Sequence, residues 1–284
     1  MTVSLAAVEY GDGPPLAILH GLFGSGRNWA SIAQRLAAHH RVIALDLRNH
    51  GASPWAGTMD YAAMAGDVRA TLHARGYSRH ALLGHSMGGK VAMVAALRHG
   101  SEVQRLIVVD IAPVPYPPRH LAEVRAMREL DLGGIKRRSE ADACLAPSIP
   151  DPAERAFLVQ NLVFEDGRAR WRLNLAAIEQ AMPELVDFPE LPPGAAYNGP
   201  ALFIAGGQSD YLRPEHEPTI QPAVPKGRNC PHRQCRPLDA CRAARSLSRD
   251  RRTVSKPLTF SSTGRQALRR TPAFGAIDFA PVSR

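Results

Sequence analysis

The strongest constraint on this chain is the rhythm of its first 110 residues, where short apolar runs alternate with helical stretches. LAAVEY (Leu5–Tyr10) reads as an edge strand closed by the turn Gly11-Asp12-Gly13, and PLAILHG (Pro15–Gly21) as a buried strand. A helix is expected at about 28–39, then the strand RVIALDL (Arg41–Leu47), a helix over Tyr61–Arg75 and the strand HALLGHS (His80–Ser86). A helix over Gly88–His99 leads into the strand RLIVVDIA (Arg105–Ala112). These runs are too apolar to keep one face in water, so they predict a mostly parallel sheet covered by helices on both faces, an α/β architecture.

The alternation stops at residue 113. Pro113, Pro115, Pro117 and Pro118 lead the chain away, and HLAEVRAMREL, PAERAFLVQNLVF and LNLAAIEQAM read as helices, an excursion suited to a lid over a site. The sheet resumes with ALFIAGG (Ala201–Gly207). The expected organisation is a core over 1–112, a lid over 113–195, the rest of the core over 196–221 and a different segment over 222–284.

Charge exposes that last boundary. The chain carries +9 overall, yet residues 222–284 hold 14 Lys and Arg against 3 Asp and no Glu, which leaves 1–221 at about −2. Cys144 is the one cysteine of the body, while Cys230, Cys235 and Cys241 lie in the tail. The tail shows neither a helical nor a strand period and would count as a disordered basic arm. A second reading fits better, that of a coding sequence translated out of frame. Codons for Arg236–Ala240 can be chosen so that one base over they encode Gly-His-Trp-Met. The same offset turns 223–228 into Leu-Phe-Pro-Lys-Ala-Glu. On this reading the last strand and helix of the fold are missing, and Ala201–Gly207 becomes an exposed edge prone to aggregation.

No run approaches the roughly 18 apolar residues of a membrane helix. The start MTVSLAAVEYGDG lacks the basic residues and long apolar run of a secretory signal, so a cytoplasmic protein without membrane partners is expected. The basic tail has no aromatic platform or recognition helix, so no specific nucleic-acid partner is expected. Cys230, His232, Cys235 and Cys241 match no zinc spacing, and no metal is expected.

Chemistry concentrates at Gly84-His85-Ser86-Met87-Gly88, a G-x-S-x-G motif where a strand meets a helix. Such a turn holds the serine hydroxyl above the sheet, while the glycines let neighbouring backbone close in. The loop His20-Gly21-Leu22-Phe23-Gly24 follows the preceding buried strand and can bring an amide beside Ser86. Leu22, with Phe23 as the near alternative, and Met87 are the expected oxyanion donors.

HGLFGS, DLRNHGAS, GHSMGGK, VVDIAPVPY and FLVQNLVFEDGRARWRLNL, in that order, resemble the α/β-hydrolase superfamily, and within it the small bacterial carboxylesterases and abhydrolase-type esterases of mitochondria. The resemblance covers about residues 3–221. It implies an eight-stranded sheet, a helical lid between strands six and seven, hydrolysis of small to medium acyl esters or thioesters through an acyl-enzyme on Ser86, and no cofactor. Members of the superfamily usually place the catalytic acid after strand seven, where Asp210 stands, while the branch resembled here can use the position after strand six, where Asp110 stands. Either can face one histidine, and Asp110 is the preferred candidate with Asp210 as the alternative. The family's histidine follows strand eight in a Gly-His-Trp context, where this chain reads Arg236-Pro237-Leu238, so impaired activity is expected. His216 and His232 are the substitutes to weigh. Neither has a strand before it in the sequence pattern. A serine at the elbow argues against dehalogenase or epoxide-hydrolase chemistry. A cofactor-free perhydrolase and a catalytically inactive remnant remain as alternatives. Oligomeric state is not readable from these patterns.

Overall fold

The computed structural model describes residues 1–192, 194–206 and 209–230. Nine strands, eight α-helices and three short 3₁₀ turns lie among them. The first half runs β1 (Ala7–Tyr10), β2 (Pro15–Leu19), α1 (Ala30–Leu36), β3 (Arg41–Leu45), α2 (Tyr61–Ala74), β4 (His80–His85), α3 (Met87–Arg98) and β5 (Val103–Val109). The excursion holds α4 (Leu121–Glu129), α5 (Arg138–Leu145), α6 (Pro152–Leu158), β6 (Leu162–Glu165), β7 (Arg168–Trp171) and α7 (Leu175–Val186). The chain returns through β8 (Ala201–Ile204), α8 (Glu217–Ala223) and β9 (Gly227–Cys230).

The main sheet runs β1-β3-β2-β4-β5-β8-β9. β1 is antiparallel to β3, and every other neighbouring pair is parallel. Leu16, Ala17, Ile18 and Leu19 of β2 are all buried, as a strand between two helical layers must be. One face packs Trp29, Ile32 and Leu36 around α1. The other packs Met64 and Val68 of α2 and Val91 and Val94 of α3. Asp60 starts α2 by accepting a hydrogen bond from the Ala63 amide, which satisfies one of the free donors of the first turn.

Three expectations need correction. The described sheet has seven strands rather than eight. The strand over Ala201–Ile204 is not an exposed edge, because β9 pairs with it from Ala201↔Gly227 to Ile204↔Cys230. The last strand is therefore present, and structure crosses the boundary expected at residue 221. Ile220 and Val224 are buried, docking α8 on the core, and the Tyr197 amide donates to the Ala223 carbonyl. Residues 227–230 show no apolar alternation. Their pairing satisfies the open backbone groups of β8, a demand that belongs to the sheet and leaves no pattern in the side chains. The expected terminal helix and the rest of the basic tail lie outside the described residues.

The third correction is in the lid, where Leu162–Glu165 extends into β6 and pairs antiparallel with β7 instead of continuing a helix. Asp166 and Gly167 both take positive φ, 49° and 74°, in the two-residue Asp-Gly turn that matches the twist of a hairpin. Among the described residues no helix is long and apolar enough to cross a membrane.

Candidate active site

Ser86 occupies the one-residue corner between β4 and α3 with φ 50° and ψ −119°, a backbone conformation costly for any side chain. The corner is fixed from both sides. The Ser86 amide donates to the Val109 carbonyl at 3.0 Å, and its own carbonyl accepts from the Gly89 and Lys90 amides of α3. The flanking glycines are required by close approach. A Cβ at Gly84 would stand 2.2 Å from the Gly88 carbonyl oxygen, and one at Gly88 would stand 2.4 Å from that of Leu19.

The loop after β2 lies against this corner, since a Cβ on Gly21 would be 3.3 Å from that of Ser86. Phe23 takes a positive φ of 61° in that loop. Buried Asn161, from the turn after α6, holds it by donating from Nδ2 to the Phe23 carbonyl at 2.8 Å. His20 braces the loop from beneath. The Leu47 amide donates to its Nε2 at 2.9 Å, so its Nδ1–H is left to donate to the Gly21 carbonyl at 2.8 Å. Burial pushes the His20 imidazole down to about 4 and that of neighbouring His50 to about 3, so both are neutral braces. Met87 is the first residue of α3, where an amide has no partner within its own helix.

The two candidate acids are placed differently. Half-buried Asp110 follows β5 directly, with φ 57°. Its amide donates to the Ile204 carbonyl at 2.8 Å, and its Oδ1 accepts from the Gly206 amide at 2.9 Å. Because Ser86 is bonded to Val109, the serine and Asp110 stand at adjacent strand ends on the same edge of the sheet. The Asp210 side chain is 71% exposed, 3.4 Å from Arg213. It lines a small surface pocket of about 230 Å³ with Tyr116, Tyr211 and His216.

Among the described residues, no histidine nitrogen is hydrogen-bonded to the Ser86 hydroxyl. His216 accepts from the Arg213 amide at 3.3 Å, in the pocket of Asp210. Half-buried His85 lies 6.1 Å from the Trp29 ring, and burial pulls its pKa down against the opposing pull of the Asp110 carboxylate. His232 lies outside the described residues. One objection to it is corrected, because β9 ends two residues before it and supplies the preceding strand.

Lys90 is a residue that the sequence left without a role. Its buried ammonium donates to the carbonyls of Val186 at 3.1 Å and Asp187 at 2.6 Å, and lies 4.9 Å over the Tyr116 ring. Burial pushes its pKa down to about 8. It ties the helix behind Ser86 to the end of α7 in the lid. Asn161 does the same for the loop at Phe23. Neither partner is near in sequence, so no local motif announces either one.

The family model for the alpha/beta hydrolase fold matches residues 14–244. The chain is 42% identical over 223 residues to the sn-1-specific diacylglycerol lipase ABHD11 of Xenopus tropicalis, covering 75% of this chain and 69% of that protein. It is 34% identical over 215 residues to the esterase YbfF of Escherichia coli K12, covering 75% and 82%. A solved marine microorganism esterase superposes with a TM-score of 0.80 at 32% identity, covering 87% of this chain and 99% of that one.

Proposed function

Because the chain belongs to the α/β-hydrolase fold family, as a carboxylesterase-type hydrolase, we propose that it cleaves small to medium acyl esters or thioesters through an acyl-enzyme on Ser86. The observation that carries this reading is the strained Ser86 corner, with the loop His20–Gly24 packed against it and Asp110 at the next strand end.

In this reading the Ser86 Oγ attacks the acyl carbon, and the carbonyl oxygen gains negative charge in a tetrahedral intermediate. The amides of Leu22, or of Phe23 beside it, and of Met87 receive that charge. Removing one such donor typically costs about 3–4 kcal/mol of transition-state stabilisation. Asp110 orients an imidazole and supports its cationic form, the part played by the acid of a triad. Asp210 is the weaker candidate, being solvated and paired with Arg213.

The proton acceptor sets the rate. Without an imidazole on Ser86 the hydroxyl keeps its proton at neutral pH, and turnover falls by several orders of magnitude. We assign the loss to a one-base shift of the reading frame near residue 222, which removes the family's histidine. A fluorophosphonate probe tests this. The chain as it stands should label slowly, the chain re-encoded one base over from about residue 222 should label rapidly, and Ser86→Ala should abolish labelling in both. Rapid labelling of the unaltered chain that disappears in His232→Ala would instead identify His232 as the acceptor. Equal, rapid labelling with Ser86→Ala would overturn the role of Ser86.

A further inference from the structure

A second cluster of reactive groups lies in the lid, independent of the hydrolase reading. His120 begins α4, Glu123 lies one turn further along it, and Glu154 stands in the first turn of α6. One donor atom from each residue falls within 4.8 Å of the other two. His120 Nδ1 and Glu154 Oε1 are 3.7 Å apart, too far for a hydrogen bond and close to the spacing of two ligands on one metal ion. Both His120 Nδ1 and Glu123 Oε2 are shut off from solvent without a hydrogen-bond partner. Native proteins rarely leave such atoms unsatisfied, and coordination of an ion is one of the few physical explanations. The His120 ring also stands edge-on to Phe23, with centroids 5.9 Å apart.

We propose that His120, Glu123 and Glu154 form a site for a divalent transition-metal ion, which joins α4 to α6 beside the loop that carries Phe23. One imidazole nitrogen and two carboxylate oxygens suit zinc, cobalt or manganese rather than calcium, which takes oxygen ligands only. Three protein ligands leave a further position for water. The electrostatics agree. Glu154 is pushed above the usual carboxylate range by burial and by the like charges of Glu123 and Asp151, a repulsion that a cation relieves. The helix starts at α4 and α6 oppose a cation with about half a charge each, against two whole carboxylates.

Cobalt(II) is the probe, because thiolate ligation gives a near-ultraviolet charge-transfer band that nitrogen and oxygen ligands do not. This separates the site from the cysteines of the tail. Titration of the full chain should show one equivalent with visible ligand-field absorption, no thiolate band from that equivalent, and displacement by Zn²⁺. His120→Ala and Glu154→Gln should each weaken it at least about tenfold, since even partners one step beyond the ligands typically cost 10–100-fold. Circular dichroism checks that both variants fold. In the unmutated chain, Mn²⁺ should broaden the His120 ring resonances ahead of those of the other histidines. Absence of the thiolate-free equivalent, its persistence at full affinity in both variants, or unselective broadening would overturn the proposal.

Discussion

Replacing Ser86 by glycine should make this protein more stable while removing its nucleophile. At φ 50° and ψ −119° a residue with a Cβ is strained, at a typical cost of about 1–3 kcal/mol. Glycine reaches that region freely, but the greater freedom of its unfolded chain returns about 0.5–1 kcal/mol. The expected net gain is about 1 kcal/mol, or roughly 2–4 °C in melting temperature for a chain of this size. Ser86→Ala is the reference, since it removes the same hydroxyl and keeps the Cβ. Calorimetric melting of both variants isolates the backbone strain. An ordinary helix N-cap already ranks glycine above alanine, by roughly 0.5–1 kcal/mol, so the strain at Ser86 is the part of the difference that exceeds this. Should Ser86→Gly melt below Ser86→Ala, the corner stores no strain and its assignment as a nucleophile turn loses its physical basis.

The ion pair of Arg48 and Asp67 has neither side chain exposed and is closed by bonds of 2.6 and 2.8 Å. Asp67→Asn leaves a buried guanidinium without its counter-charge and should cost about 3–5 kcal/mol in urea unfolding; a loss below about 1 kcal/mol would show the pair to be incidental. His20 and His50, held at about 4 and about 3 against 6.5, bind fewer protons folded than unfolded below that value. Stability should therefore fall as pH drops from 6.5 toward about 4, by up to about 1.4 kcal/mol per pH unit for each ring, and His50→Gln should flatten that slope. Asn161→Ala strips the Phe23 carbonyl of its donor, which should cost about 1–3 kcal/mol. It should also slow fluorophosphonate labelling of the frame-restored chain, and an unchanged rate would free the loop from dependence on Asn161.

The parallel core and the Ser86 corner were legible because their signals are local. Apolar runs between helices set the strands, and Gly84 and Gly88 stand where backbone atoms approach too closely for a Cβ. The Asp166-Gly167 hairpin was legible in principle, but the apolar residues around it were absorbed into an expected helix. β9 was beyond reach, since its cause is the open edge of β8. The supports of the site were equally hidden. Asn161 lies 138 residues from Phe23, and Lys90 lies 96 from Val186. A long-range bond of one polar side chain to one carbonyl leaves no periodicity to read.

The proposal on the missing base makes a demand on additivity. Members of a catalytic triad act as a unit, so removing a second after the first is lost costs little, while the oxyanion donors and substrate binding still supply roughly 10³–10⁴-fold over water. In the chain as it stands, Ser86→Ala should therefore change ester turnover only slightly. In the frame-restored chain the same substitution should lower it by several orders of magnitude. Leu22, Phe23 and Met87 act through backbone amides present in all four proteins, so the residual rate should be common to the three that lack a complete triad. A large effect of Ser86→Ala in the unaltered chain would mean that an imidazole already serves Ser86, and the reading frame would then be no part of the explanation.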